Sequence, residues 1–152
     1  YHYFQSKEKL YMEVFKQTSI AIWDSVSPTD NPSTLVEAME QLLDNSRLLA
    51  DKLPSYSDFL ASLPIEGKLH PEFSELLKQR ADHQDKTFRN LASIGIASGE
   101  LHFLTEDEAT ELIRSIIMGW FFERHFRQEE IEHSGEAIIS MFKHLNVTKR
   151  EQ

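Results

Sequence analysis

The stretch YHYFQSKEKLYMEVF, residues 1–15, is basic and aromatic and then turns at once into an apolar-periodic helix. Ser6 offers a side-chain oxygen for an N-cap, and Glu8 falls in the first turn, where a negative charge meets the free N–H groups. Leu10, Tyr11, Val14, Phe15, Thr18, Ala21 and Ile22 follow a 3–4 spacing, which predicts a helix over 7–23 with one apolar face. If the opening stretch is a helix start, the rest follows the same logic. Only 5 Gly and 5 Pro punctuate 152 residues, so long helices are favoured over a turn-rich β fold. The expected fold is all-α, a bundle of about six helices.

Cap and breaker residues set the remaining boundaries. Ser27-Pro28-Thr29-Asp30-Asn31-Pro32 reads as a loop. Thr34 and Glu37 form a capping box for a helix over 35–53, with Leu35, Met39, Leu42, Leu43, Ser46, Leu49, Ala50 and Leu53 inward and Pro54 as the stop. A short helix over 55–63 precedes a loop at Pro64-Ile65-Glu66-Gly67-Lys68. His70 or Pro71 opens a long helix to about Ile96, with Phe73, Leu77, Ala81, Gln84, Phe88 and Leu91 inward. The Ser98-Gly99-Glu100-Leu101 turn ends it, and Gly99 suits a left-handed conformation. Thr105 and Glu108 make a second capping box for a helix to about Phe126, with Ala109, Leu112, Ile113, Ile116, Ile117, Trp120 and Phe121 inward. The sixth helix spans about 129–145, with Ile131, Ser134, Gly135, Ile138, Met141, Phe142 and Leu145 inward, and 147–152 is a polar tail.

Composition removes several function classes. The chain has no Cys, which excludes disulfide scaffolds, thiolate metal sites and Cys nucleophiles and fits a reducing cytoplasm. The longest apolar run, Ile116-Ile117-Met118-Gly119-Trp120-Phe121-Phe122, is far short of a membrane span, so no membrane partner is expected. The net charge is −9, which opposes nucleic-acid binding by the chain as a whole. Residues 1–20 nevertheless balance to +1, so any contact with nucleic acid belongs to the first few residues.

The last two helices are apolar over more than one face, because Phe122, Phe126 and Ile139 lie off the main stripes. A helix apolar nearly all round is buried on more than one side. Gly119 and Gly135 sit mid-helix at a cost of roughly 1 kcal/mol each, which a close helix–helix approach would explain. A second copy is therefore expected to pack there, through Ile116, Gly119, Phe122, Gly135, Ile138, Met141 and Phe142. The plainer reading is interior packing within a monomer.

Tyr1, His2, Tyr3 and Lys7 cluster just before and at a helix start. Tyr hydroxyls and a Lys charge beside free helix N–H groups make an edge suited to phosphate contact. As a block, Tyr1-His2-Tyr3-Phe4-Gln5-Ser6-Lys7-Glu8-Lys9-Leu10 resembles the end of the DNA-binding region of the tetracycline-repressor (TetR) family of bacterial transcription regulators. There, a segment of this type closes the recognition helix of a helix-turn-helix and starts the next helix. The Ile96–Leu101 turn and two closing helices that pair in a dimer extend the likeness over the chain. The resemblance implies that 1–6 is a remnant of the DNA-binding domain and 7–23 a connecting helix. It makes 24–146 the effector-binding and dimerisation domain of a cytoplasmic regulator, usually a repressor. It places Tyr1, His2, Tyr3 and Lys7 on the DNA backbone. The family's first helices, which read operator bases, would lie ahead of Tyr1.

By the same resemblance, an effector enters the bundle and shifts the 7–23 helix, releasing DNA. Met39, Leu43, Phe59, His83, Gln84, Phe88, Met118, Trp120 and Phe121 are the candidate lining, although such a stripe is also what plain core looks like. Arg80, Asp82, His83, Gln84 and Thr87 interrupt the apolar pattern of the fourth helix, as a few polar groups in an apolar pocket would; a solvated face over Lys78–Lys86 is the competing reading. The implied effector is small and hydrophobic or aromatic. A metal-binding bundle or helical enzyme, and a purely structural dimerisation domain, are the alternatives. Glu130-x-x-His133 has di-iron spacing but occurs once, where such sites need two. No HExxH, phosphate loop or nucleophile elbow is present, so neither catalytic residue nor cofactor is expected. The sequon at Asn146 is a short pattern expected by chance.

Overall fold

Helix starts are held by side chains that accept from the free N–H groups. Ser6, in extended conformation, accepts from Lys9 N at 3.2 Å and opens α1, Lys7–Val26. Thr34 accepts from Glu37 N at 3.1 Å and opens α2, Leu35–Lys52. The reciprocal arm differs by one residue from the expected box: Glu37 accepts from the backbone N–H and hydroxyl of Ser33, at 2.9 and 3.0 Å. Thr105 and Glu108 close a complete box, with Thr105 N donating to Glu108 at 2.9 Å, at the start of α5, Glu106–Arg127. The bonds from Ser33 and from Thr105, the backbone N–H foremost, hold the carboxyls of Glu37 and Glu108 below their ordinary value.

The computed structural model describes residues 6–127 and 132–150. These form six α-helices and no strand, with α3 at Tyr56–Leu69, a 3-10 turn at Pro71–Phe73, α4 at Ser74–Ser98 and α6 at Glu132–Arg150. Helix α4 is the hub: it packs on α1, α2, α3 and, most extensively, α5, while α6 packs on α2. The core gathers Trp23, Leu35, Leu42, Tyr56, Phe88, Leu91, Ile113, Ile117 and Phe142, all nearly inaccessible. Each such side chain contributes about 1.5–3 kcal/mol relative to exposure. No described helix is long and apolar enough to cross a membrane.

Three details depart from the sequence reading, and one part of it lies outside the described residues. The inward face of α1 is Phe15, Ser19, Ile22, Trp23 and Val26, one step round from the expected stripe, and Val14 is 52% exposed. Trp23 is the largest fully buried side chain, and this face is the one that encloses it. Second, α3 runs on through Pro64 where a loop was expected. The turn beyond Pro64 is kept by His70 N donating to Glu66 O at 2.9 Å and by the packing of Gly67 on Leu77, where a Cβ would stand 2.0 Å from Cδ1. Third, Ala81 faces solvent and Arg80 takes its inward place, so the α4 stripe is Leu77, Arg80, Gln84, Phe88 and Leu91. Helix α6 is described from Glu132, so Ile131 and the Glu130 of the di-iron-like spacing lie outside the described residues.

The turn after α4 does more than end a helix. Gly99 is left-handed at φ 88°, and Leu101 N donates back to Gly95 O at 2.9 Å, so orphan carbonyls of α4 are satisfied. That reversal drives Glu100, wholly buried, into the start of α2. Its carboxylate accepts from Leu35 N at 2.7 Å and Val36 N at 3.0 Å, and from the Ser98 hydroxyl. A buried carboxylate therefore caps one helix from the end of another.

Candidate functional site

A cavity lies where α1, α3, α4 and α5 meet. It is walled by Trp23 of α1, Ala61 of α3, Arg80 and Gln84 of α4, and Met118, Phe121 and Phe122 of α5. The volume open to the centre of a water-sized sphere is about 20 Å³, room for about one water. The lining is mostly apolar, but its two polar members are unusual. Gln84 is 8% exposed and its Nε2 has no hydrogen-bond partner. Arg80 has no accessible surface at Nε or Nη2, and neither atom has a partner. Burial pushes the Arg80 guanidinium down to about 10, so it is still charged at neutral pH. Buried polar groups are normally paired, and an unpaired one costs about 1–3 kcal/mol, more when charged.

Nearby cations each reach a partner. Arg114 reaches Asp85 at 2.7 Å through Nη2, with its Nε enclosed and unpartnered, and Arg89 reaches Asp107 at 3.1 Å. Arg124 donates to the Tyr56 hydroxyl at 3.2 Å and lies over the rings of Tyr56 and Trp120. Arg80 departs from that pattern at a place where the chain leaves a hole.

The same region ties α1 to α4. Trp23 Nε1 donates to Thr87 Oγ1 at 3.2 Å, and its ring lies 5.2 Å from that of Phe88, tilted by 58°. One residue further, Asp24 meets His83 Nε2 at 2.7 Å. The last turn of α1 is thus fixed to α4 by two polar bonds and one ring contact, and Trp23 is at once a strut of that joint and a wall of the cavity.

The expected lining residues divide in three. Gln84, Met118 and Phe121 line the cavity. Met39, Leu43 and Phe88 are core, and Phe59 packs on Phe15 at 5.9 Å between ring centroids. His83 stands outside, on the Asp24 bond, and Trp120 packs on Phe121 with its Nε1 enclosed and unpartnered. Trp23, Ala61 and Arg80 belong to the cavity but were absent from the expected lining, and Phe122 was expected on the dimer face. Arg80 and Gln84 are four apart on a helix that is otherwise apolar on that side, which is the signal that was available in the sequence.

The expected dimer face also divides. Phe142 is 1% exposed inside the protomer, and Gly135 is closed by Leu43, where a Cβ would stand 3.0 Å from Cδ2. Both are used within the chain, which corrects their place on an outer face. Gly119 borders open space with nothing within 4 Å of a Cβ, Met141 is 43% exposed, and Ile116, Phe122 and Ile138 are partly buried. Of the expected DNA-backbone group, Lys7 is exposed at the first turn of α1, while Tyr1, His2 and Tyr3 lie outside the described residues.

A wider hollow of about 420 Å³ between the 27–32 loop and α4 is open and lined by Lys86, Thr87 and Asn90 among others. It holds no enclosed, unpaired group. Compared with known proteins, the chain matches no family model, no curated protein and no solved structure.

Proposed function

We propose that this chain is the effector-binding and dimerisation part of a small-molecule-responsive transcription regulator similar to the tetracycline-repressor family. In this reading α1 carries the signal and the α1–α3–α4–α5 cavity receives it. One observation carries the proposal: Trp23 both lines the cavity and bonds α1 to α4, beside three enclosed donor atoms without partners, Arg80 Nε, Arg80 Nη2 and Gln84 Nε2. A ligand that fills that space and moves the indole must act on the joint that sets where α1 points. Coupling follows if the ligand favours one arrangement of the joint over the other, and the shift is limited by that difference in affinity. The basic start at Lys7 and Lys9 then faces the DNA backbone, and the apolar surface of Ile116, Gly119, Phe122 and Met141 faces a second copy.

The reading is tested by the coding sequence immediately upstream of Tyr1. A helix-turn-helix pattern running in frame into Tyr1-His2-Tyr3 is expected. A stop codon or an initiating Met at that point sinks the proposal.

A further inference from the structure

We infer that the cavity takes a small amphipathic carboxylate, its acid group held by Arg80 and Gln84 and its apolar body set among Trp23, Met118, Phe121 and Phe122. The inference rests on the reading of this cavity as the ligand site and on nothing about DNA.

The free groups decide the chemistry. Arg80 Nε, Arg80 Nη2 and Gln84 Nε2 are enclosed and unpartnered, and every one is a donor. Four residues apart on α4, the two side chains share one helix face. Donors alone, with one positive charge, are complemented by an anion that only accepts. The Nε and Nη edge of a guanidinium is the fork that meets a carboxylate with two parallel bonds. One cation balances one negative charge, which selects a monoanion over a doubly charged phosphate. An indole, two phenyl rings and a thioether favour an aromatic or branched body, and edge or offset ring packing adds to its burial. Present space admits about one water, so binding requires side chains to move. Ala61, Arg80, Met118 and Phe122 are the partly exposed members of the wall, and Met has three free torsions. The site also has the mark of function set against stability. An unpaired charge is held in an apolar wall while Arg114, Arg89 and Arg127 all have carboxylates.

The test uses the 152-residue chain and calorimetric titration with benzoate, octanoate and indole-3-acetate, each beside its neutral amide. At least one carboxylate is expected to bind about tenfold or more tightly than its amide, the loss that follows from leaving a charged donor unpaired. Arg80→Met is expected to remove the preference, bringing acid and amide to within about twofold, and to raise Tm, because it deletes an unpaired buried charge. Gln84→Met should weaken the acid by less than Arg80→Met does. If amides bind as well as acids and Arg80→Met changes neither, the anion assignment is wrong while the cavity stands as a ligand site. An acid that binds Arg80→Met as it binds the parent is held elsewhere and overturns the assignment. If no acid and no amide binds, both the assignment and the ligand-site reading fail.

Discussion

Glu100 offers the sharpest quantitative prediction. Its carboxylate accepts from two N–H groups at the start of α2, at 2.7 and 3.0 Å, and from Ser98, with no exposure to water. Hydrogen bonds to a charged group contribute about 1.5–3 kcal/mol each, and the helix N-terminus adds up to about 2 kcal/mol in a partly buried geometry. Relief of the buried carboxylate's desolvation offsets part of this on mutation, leaving about 3 kcal/mol lost in Glu100→Ala. Glu100→Gln retains one acceptor oxygen but turns an amide N–H toward a backbone N–H, and should lose about half as much. At about 2–4 °C per kcal/mol for a chain of this size, Tm falls by about 6–12 °C in Glu100→Ala. Urea unfolding followed by helical circular dichroism gives the free energy, and the slope against denaturant should stay unchanged. Because the cap is buried, the loss should persist in high salt, where an exposed cap would be screened. A cost below about 0.5 kcal/mol, or one that vanishes in salt, refutes the buried cap.

Three further outcomes follow from the packing. Gly135→Val meets Leu43 at once and should cost about 1–3 kcal/mol, whereas Gly119→Ala meets nothing and should stabilise an isolated protomer by about 0.5–1 kcal/mol; thermal melts decide both signs. Glu37 and Glu108 have folded-state values below their ordinary 4.5, so the stability they give is present above that pH and is lost as pH falls through the lower folded values; the acid limb of a stability-versus-pH curve should flatten in Glu37→Gln/Glu108→Gln. Sedimentation should give a mass near twice 17.7 kDa, and Met141→Glu should halve it without loss of helix; a monomer at micromolar concentration counts against the dimer.

The helices were legible because their ends carry local chemistry. Ser6, Thr34 and Thr105 cap through side chains within three residues in sequence, and Gly99 ends α4 through its own left-handed backbone. What could not be read were decisions made by distant packing. The α1 face that encloses Trp23 lies one position round, contact with Leu77 carried α3 past Pro64, and α4 set Arg80 rather than Ala81 inward. Periodicity favours the apolar residue at such a choice, so the inward turn of Arg80 rather than Ala81 was not read from spacing alone. Glu100 was visible as part of a turn, but its partners are 64 and 65 residues away. Met39, Leu43 and Phe88, at helical spacing, lie in the buried core rather than in the cavity wall.

The central claim is that filling the cavity moves α1 against α4. The chain has no Cys, so labels at Lys16→Cys on α1 and Lys78→Cys on α4, both exposed positions, report on that joint alone. The distance between two spin labels should be measured with the cavity empty and with the tightest-binding carboxylate at saturation. A shift of the distance distribution by about 1–2 Å or more, abolished by Arg80→Met, is the predicted result. An unchanged distribution in the saturated protein contradicts it.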